Sequence, residues 1–417
     1  DKHQACPYCG FTAPKIKEYV TKEITHSALT TQKCIIKYRA RRYKCPCCGK
    51  TYYEFNPFVF KSQKISILTV HNILKDLKDF NETFTSVARR YHVSPTSVST
   101  IFDKHVDIGR NPLPEIINFD EVYAFKSEKS KYVCVLLDFK KQIPVDVLPN
   151  RKKEYLLNYF QKIPLEERKK VKYACSDMYE VYRDVVHKVF PEAKHLLDYF
   201  HLSQDFHKKM NEVRIKVMKG YKDNKASDEY YLLKKFNWLL FKNPEDEDKH
   251  GRLFDVERER KYNSHFKSYM NYYDLRKKLL EINNDLTICY SLKLELVDFY
   301  SKSTIDNAKV NLENLIRSCI DTNIEEMIAF SNNLINWKQE IINSFTIVGT
   351  EYKVEADKGQ VVVCNKKVNN AIIENRNKII KCIKNNANGY TNWSRFRNRV
   401  MYVLDPNATF SLEPREK

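Results

Sequence analysis

The 417-residue chain has only eight glycines and three tryptophans, and no stretch of it approaches the roughly 18 apolar residues that a membrane-spanning helix needs. A helical membrane span is therefore excluded, and the opening residues do not read as a signal peptide. Acidic residues are also in short supply. Against 72 Lys and Arg stand 53 Asp and Glu, a net charge of +19, which points to a polyanionic partner and favours nucleic acid over an anionic membrane surface. The scarcity of glycine beside abundant Lys, Asn, Ile and Tyr fits an A+T-rich genome and carries no functional information. Apolar residues are not scarce. They make up 42% of the chain and aromatics 13%, enough for true cores, and the length implies two to four domains.

The twelve cysteines are unevenly placed. Cys6, Cys9, Cys34, Cys45, Cys47 and Cys48 fall in the first 50 residues, while others sit singly in buried-strand contexts such as Val-Cys134-Val and Ala-Cys175-Ser. That is a metal-site pattern in a reduced compartment, not a disulfide framework. Cys6-Pro7-Tyr8-Cys9-Gly10 and Cys45-Pro46-Cys47-Cys48-Gly49 repeat one motif, with 35 residues between Cys9 and Cys45. The two-residue gap lets both sulfurs of a knuckle reach one ion, and the glycine relieves the turn behind them. Cys6, Cys9, Cys45 and Cys48 are thus expected to hold one structural Zn²⁺, with a small β-hairpin between the knuckles. Cys34 and His26 are read as bystanders. Lys37, Arg39 and Arg41 alternate and would share a strand face. With Arg42 they form a candidate phosphate-contact surface, against the simpler reading of a solvated strand.

Residues 64–107 carry helical periodicity. Phe84, Val87, Ala88 and Tyr91 line one short helix, and Val98, Ile101, Phe102 and His105 line a second. Between them Ser94 suits an N-cap and Pro95 the first helical position. This reads as a helix-turn-helix that turns Thr96, Ser97, Ser99 and Thr100 outward, where base edges would be read. An ordinary helical hairpin is the alternative.

From Ile116 the pattern changes to strands at 116–123, 132–138, 143–148, 171–176 and 194–198, with helices at 151–162 and 178–189. The third strand is expected to be less regular because of Pro144. The order β-β-β-α-β-α-β is that of a ribonuclease-H-like core, in which the first strand lies beside the fourth. Asp120 and Asp177, 57 positions apart, would then meet. Carboxylates are hard ligands for Mg²⁺, and two such ions about 3.5–4 Å apart suit phosphoryl transfer. A third acid is offered by the helix expected at 371–384, where Glu374, Asn377, Lys378 and Lys381 would share a face opposite a packed isoleucine side. From spacing alone, a basic surface helix is the simpler reading of that segment. Glu121 should point away from Asp120, and Asp138 reads as a turn acid.

The chain resembles the insertion sequence L-three family of bacterial DDE transposases over nearly its whole length. The resemblance rests on the two knuckles, Asn118-Phe119-Asp120-Glu121, Ser176-Asp177-Met178-Tyr179, Asp198-Tyr199-Phe200-His201-Leu202, Phe236-Asn237-Trp238-Leu239-Leu240-Phe241, Glu374-Asn375-Arg376-Asn377-Lys378, and Gly389-Tyr390-Thr391-Asn392-Trp393 with Arg395-Phe396-Arg397-Asn398-Arg399. It implies that Asp120, Asp177 and Glu374 are the catalytic, metal-binding acids, holding Mg²⁺ with Mn²⁺ able to substitute. Asn375 stands where a glycine is expected after the acid. Asp198 and His201 match an Asp-x-x-His signature found after the fifth strand in several such enzymes, and are read as supporting residues. Lys378 and Lys381 would contact DNA.

The sequence thus predicts a multidomain α+β protein. Its parts are a zinc ribbon at 1–60, a helix-turn-helix DNA-binding domain at 61–112, the first part of a ribonuclease-H-like α/β catalytic core at 113–200, a large all-helical insertion at 201–365, and the second part of the core with the Glu helix and tail at 366–417. Within the insertion, helices are expected at 200–219, 228–241, 252–283, 292–301 and 305–345, followed by a hairpin over 354–364 turning at Lys358-Gly359. The expected partners are transposon terminal inverted repeats, target DNA and further copies of the chain in a homodimer or higher oligomer, in the bacterial cytoplasm at the nucleoid. The alternatives are a non-catalytic zinc and helix-turn-helix regulator derived from a transposase, and a ribonuclease-H-like nuclease or junction resolvase.

Overall fold

The chain between the two cysteine knuckles runs out and back as one long hairpin. In the computed structural model, which describes residues 5–27, 32–60, 63–125, 130–354 and 361–415, strand β1 (Lys15–His26) pairs antiparallel with β2 (Cys34–Lys44), and β2 with the short β3 (Thr51–Tyr53). The expected basic row on β2 is only partly kept. Lys37 and Arg39 are exposed, but the inward-facing parity changes between the buried Ala40 and Tyr43. Arg41 is therefore half-buried, with Nε 3.3 Å from Glu54, and Arg42 lies 2.7 Å from Glu18.

Three helices follow: α1 (Ile67–Asp76), α2 (Phe84–Arg90) and α3 (Pro95–His105). Each begins on a hydroxyl cap, at Ser66, Thr83 and Ser94, that accepts from a backbone N–H three residues on. Val70, Ile73, Leu74, Val87, Ala88, Val98, Ile101 and Phe102 form their shared core, while Leu68, expected on the packed stripe of the first helix, is exposed.

A five-stranded mixed sheet comes next, built from β4 (Ile116–Val122), β5 (Val133–Asp138), β6 (Pro144–Leu148), β7 (Tyr173–Ser176) and β8 (Lys194–Leu197) in the order β6-β5-β4-β7-β8. The run β4-β7-β8 is parallel and the β5-β6 pair antiparallel. Pro144 opens the edge strand β6, where its missing N–H is tolerated. Helices α4 (Lys153–Gln161), α5 (Leu165–Arg168) and α6 (Glu180–Val189) supply the connections.

The segment expected to be all-helical is not. Helices α7 (Tyr199–Lys219) and α8 (Asp228–Lys235) and a 3-10 turn (Asn237–Phe241) give way to two small hairpins, β9 (Glu247–Asp248) with β10 (Gly251–Arg252) and β11 (Lys261–Asn263) with β12 (Ser268–Met270). Both turns contain a residue with positive φ, Gly251 at 93° and Lys267 at 50°, a backbone no helix continues. Asn271 then starts α9 (Tyr272–Glu281) with a capping box, so the helix expected from 252 begins twenty residues later. Helix α10 (Asn284–Lys302) is longer than expected. The single pattern at 305–345 resolves into α11 (Ala308–Asp321), α12 (Glu325–Asn336) and α13 (Lys338–Asn343), broken at Asn323 with φ 56° and at Trp337.

Strands β13 (Ile347–Val354) and β14 (Val361–Lys367) make a longer hairpin than expected, and the anticipated Lys358-Gly359 turn lies outside the described residues. Helices α14 (Ala371–Asn386) and α15 (Trp393–Leu404) complete the structure.

The chain forms two compact units. One takes Asp1–Pro114, Asp120–Leu156 and Ile372–Lys417, the other Glu115–Phe119 and Leu157–Ala371. In the first, Val133, Val135, Leu137 and Val147 pack with Ile373, Ile380, Phe396 and Val400. In the second, the α7–α13 helices close around Phe206, Met210, Leu240, Leu279, Leu312 and Phe330. Among the described residues no helix is long and apolar enough to cross a membrane.

Candidate functional site

The two knuckles fold identically. Gly10 N–H donates to the Cys6 carbonyl at 2.9 Å and Gly49 N–H to that of Cys45 at 3.0 Å, while the Cys6 and Cys45 amides donate to Phe11 and Lys50, each at 2.9 Å. Gly10 and Gly49 have φ of 74° and 68°, which only glycine adopts without strain. Four sulfurs are brought within 4.8 Å of one another, those of Cys6, Cys9, Cys45 and Cys48. The Cys6–Cys48 and Cys9–Cys45 separations are 3.7 and 3.5 Å. Four thiolates at about 2.3 Å from one ion would stand about 3.8 Å apart, so the cluster fits a tetrahedral metal. The thiols act on one another: the Cys48 backbone N–H leads in drawing Cys45 down to about 7, while Cys9 is pushed up to about 12 and Cys48 also upward. Cys47 is exposed and outside the cluster, and His26 instead bonds Ser66 Oγ at 2.9 Å.

The turn between α2 and α3 is closed by His92, at φ 55°, with Val93 N–H reaching back to the Ala88 carbonyl at 3.0 Å. Beyond it the polar row faces out. Thr96 and Thr100 are exposed and Ser97 and Ser99 half-exposed, with the Ser97 and Ser94 hydroxyls 2.8 Å apart and Ser99 Oγ donating to the Thr96 carbonyl.

In the first unit Asp120 is 9% exposed near the end of β4. Its Oδ1 accepts from Glu121 N–H at 2.7 Å, and its Oδ2 from Asn377 Nδ2 at 2.8 Å. Asn377 lies one turn beyond Glu374 on α14, so Asp120 is bonded to the turn that follows Glu374. Asn377 was expected beside Lys378 and Lys381. It is instead buried with Ile373 and Ile380, while both lysines are exposed, because its spacing from the two isoleucines puts it on the packed side. Glu374 is half-buried. Glu121 points the other way and pairs with Arg151. Asp138 accepts from the Lys140 and Lys141 amides at 2.9 and 3.0 Å, as a turn acid does.

In the second unit Asp177 immediately follows β7, and Asp198 immediately follows β8. Ser176 pairs with Leu197, and Asp198 N–H donates to the Ser176 carbonyl at 3.1 Å, so the two acids leave adjacent parallel strands at the same level. Asp198 is 3% exposed, with Oδ2 3.8 Å from His201 Nε2.

Comparison with known proteins identifies the family. A family profile described as Transposase, of the DDE, insertion sequence L-three type, matches residues 117–356. A transposase for insertion sequence element IS1001 from Bordetella parapertussis is 19% identical over 409 residues, covering 98% of this chain and 90% of that protein. The match extends over more than half of the chain and takes in the strands that carry Asp120 and Asp177, and the chain belongs to the insertion sequence L-three family of DDE transposases.

Proposed function

We propose that the chain binds the terminal inverted repeats of an insertion sequence and catalyses divalent-metal-dependent DNA cleavage and strand transfer, with Asp120, Asp177 and Glu374 as the catalytic acids. The observation that carries this reading is the 2.8 Å bond from Asn377 to Asp120, which ties the strand acid to the helix bearing Glu374. In this reading the mixed sheet is a ribonuclease-H-like core, the α2-α3 pair a helix-turn-helix, and the five-part division of the sequence the domain organisation.

Buried carboxylate oxygens are the hard donors that Mg²⁺ or Mn²⁺ requires. Mg²⁺ held by the three acids would stabilise the attacking and leaving oxygens of an in-line displacement at phosphorus. Asn377 fixes the Asp120 carboxylate, and Asp198 with His201 braces the ends of β7 and β8. Lys378 and Lys381, exposed on α14, contact phosphate. Cys6, Cys9, Cys45 and Cys48 hold a structural Zn²⁺. Arg39 and the outward row Thr96, Ser97, Ser99 and Thr100 contact end DNA. Arg41 and Arg42 join them only by sharing or leaving Glu54 and Glu18. Two ends must be cut and joined together, so the active form is a dimer or higher oligomer in the bacterial cytoplasm.

The test is to replace Asp120, Asp177 or Glu374 by Ala. Each change should abolish cleavage and strand transfer while terminal-repeat binding persists, and Glu121→Ala and Asp138→Ala should be far milder. Near-normal cleavage by Glu374→Ala would remove the third acid from the site. A regulator would show neither step in the unmodified protein, and a nuclease only the first.

A further inference from the structure

The second unit carries another ligand-rich cluster, separate from the acids above. His187 lies in the last turn of α6, His195 on β8 and Glu340 in the first turn of α13. Glu340 Oε1 is 3.9 Å from His187 Nε2 and 4.0 Å from His195 Nδ1, and the three ligand atoms lie within 4.8 Å of one another. His195 and Glu340 are buried, at 1% and 5% exposure, whereas the His187 side chain opens to solvent.

The hydrogen-bond chain behind His195 fixes which of its nitrogens carries the proton. Ser176 Oγ donates to the Asp177 carbonyl at 2.8 Å, so its lone pair is what faces His195 Nε2 at 2.9 Å. Nε2 therefore holds the proton and Nδ1 presents a lone pair. That lone pair is buried with no hydrogen-bond partner among the described residues. It lies 4.0 Å from Glu340 Oε1, a carboxylate oxygen. Arg183, the neighbouring cation, is turned onto the Trp337 ring at 4.3 Å and the Asn336 carbonyl at 2.9 Å.

Two acceptors buried face to face, with an exposed imidazole at their mouth, call for a cation. We propose that His187, His195 and Glu340 bind a borderline divalent ion, Zn²⁺, with solvent in the fourth position. Two imidazoles and one carboxylate are a ligand set of open zinc sites, and a hydrogen-bonded far nitrogen is the usual second support of a ligating histidine. Nitrogen and oxygen ligands on tetrahedral zinc stand about 3.3–3.4 Å apart, so Glu340 and each ring would draw together by about half an ångström around the ion. The ion would clamp α6, β8 and α13 together.

The full-length protein, saturated with zinc and then dialysed against excess Mg²⁺, is assayed for zinc per chain by mass spectrometry. The unmodified protein should retain one zinc more per chain than His187→Ala or Glu340→Gln. His187 is exposed, so its replacement leaves folding intact, and the four-thiol cluster contributes equally to all three proteins whether or not it holds zinc. Equal zinc in the unmodified protein and His187→Ala overturns the proposal, as does a loss confined to Glu340→Gln.

Discussion

Asp120 sends its two carboxylate oxygens to different neighbours, one to its own chain at the Glu121 amide and one to the side chain of Asn377. A carboxylate held from both sides presents its remaining lone pairs in a fixed direction, which is what a metal ligand needs. Asn377 is thus a positioning residue for the proposed chemistry. Asn377→Ala should slow cleavage about 10–100-fold at fixed Mg²⁺, with partial recovery at higher Mg²⁺ and unchanged terminal-repeat affinity. Cleavage rates across a Mg²⁺ titration check this, and an unaltered metal requirement would deny Asn377 that role. The strands that carry Asp120 and lead into Asp177 are legible in the sequence because both are largely apolar runs. Asn377 is not legible. Its spacing from Glu374 and Lys381 suits a polar face as well as its spacing from Ile373 and Ile380 suits a packed one, and only the buried acceptor on β4 decides between them.

The strands of the mixed sheet lie within a residue or two of where the sequence puts them, since apolar runs bounded by charge or turn residues leave little freedom. The hairpins between 247 and 270 are not legible in the sequence because strands of two or three residues impose no period, and the charged residues there pair locally, as Arg258 does with Asp248 at 2.6 Å. The N-terminal sheet has the opposite difficulty, too little apolar material. Its buried cluster is Cys6, Tyr43, Cys45 and Tyr52 with Cys48 beside it, so candidate metal ligands make up half of its four buried residues. A sheet of that size needs a metal or another staple to hold it. Cys6→Ser should therefore accelerate amide exchange throughout β1–β3 while β4–β8 keep their protection. Hydrogen-exchange mass spectrometry reads this directly, and full protection of β1–β3 in the variant would mean the sheet stands without its ion.

At the scale of the whole molecule the net charge of +19 dominates, and it makes DNA affinity depend on salt through release of counterions. A protein engaging six to ten phosphates, about what one recognition domain touches, loses roughly 10³–10⁵ in affinity between 50 and 200 mM salt. Binding to scrambled DNA should fall by this order, and binding to terminal-repeat DNA should fall in parallel from a tighter start. A flat salt profile would show that the basic surface does not meet phosphate. One unit of the molecule is interrupted by the other, and this bears on synthesis. The helical cluster of the second unit has all its buried residues once Phe345 has been made, whereas the first unit must wait for Phe396 and Val400 to pack on β5 and β6. Asp120 and Asn377 are 257 positions apart, so at 5–20 residues per second roughly 10–50 s pass between their appearances on the ribosome. An interrupted or truncated product would carry a folded helical unit and the knuckles, yet lack the turn that fixes Asp120. On the proposed function, a chain that stops short of this turn would bind DNA without cutting it.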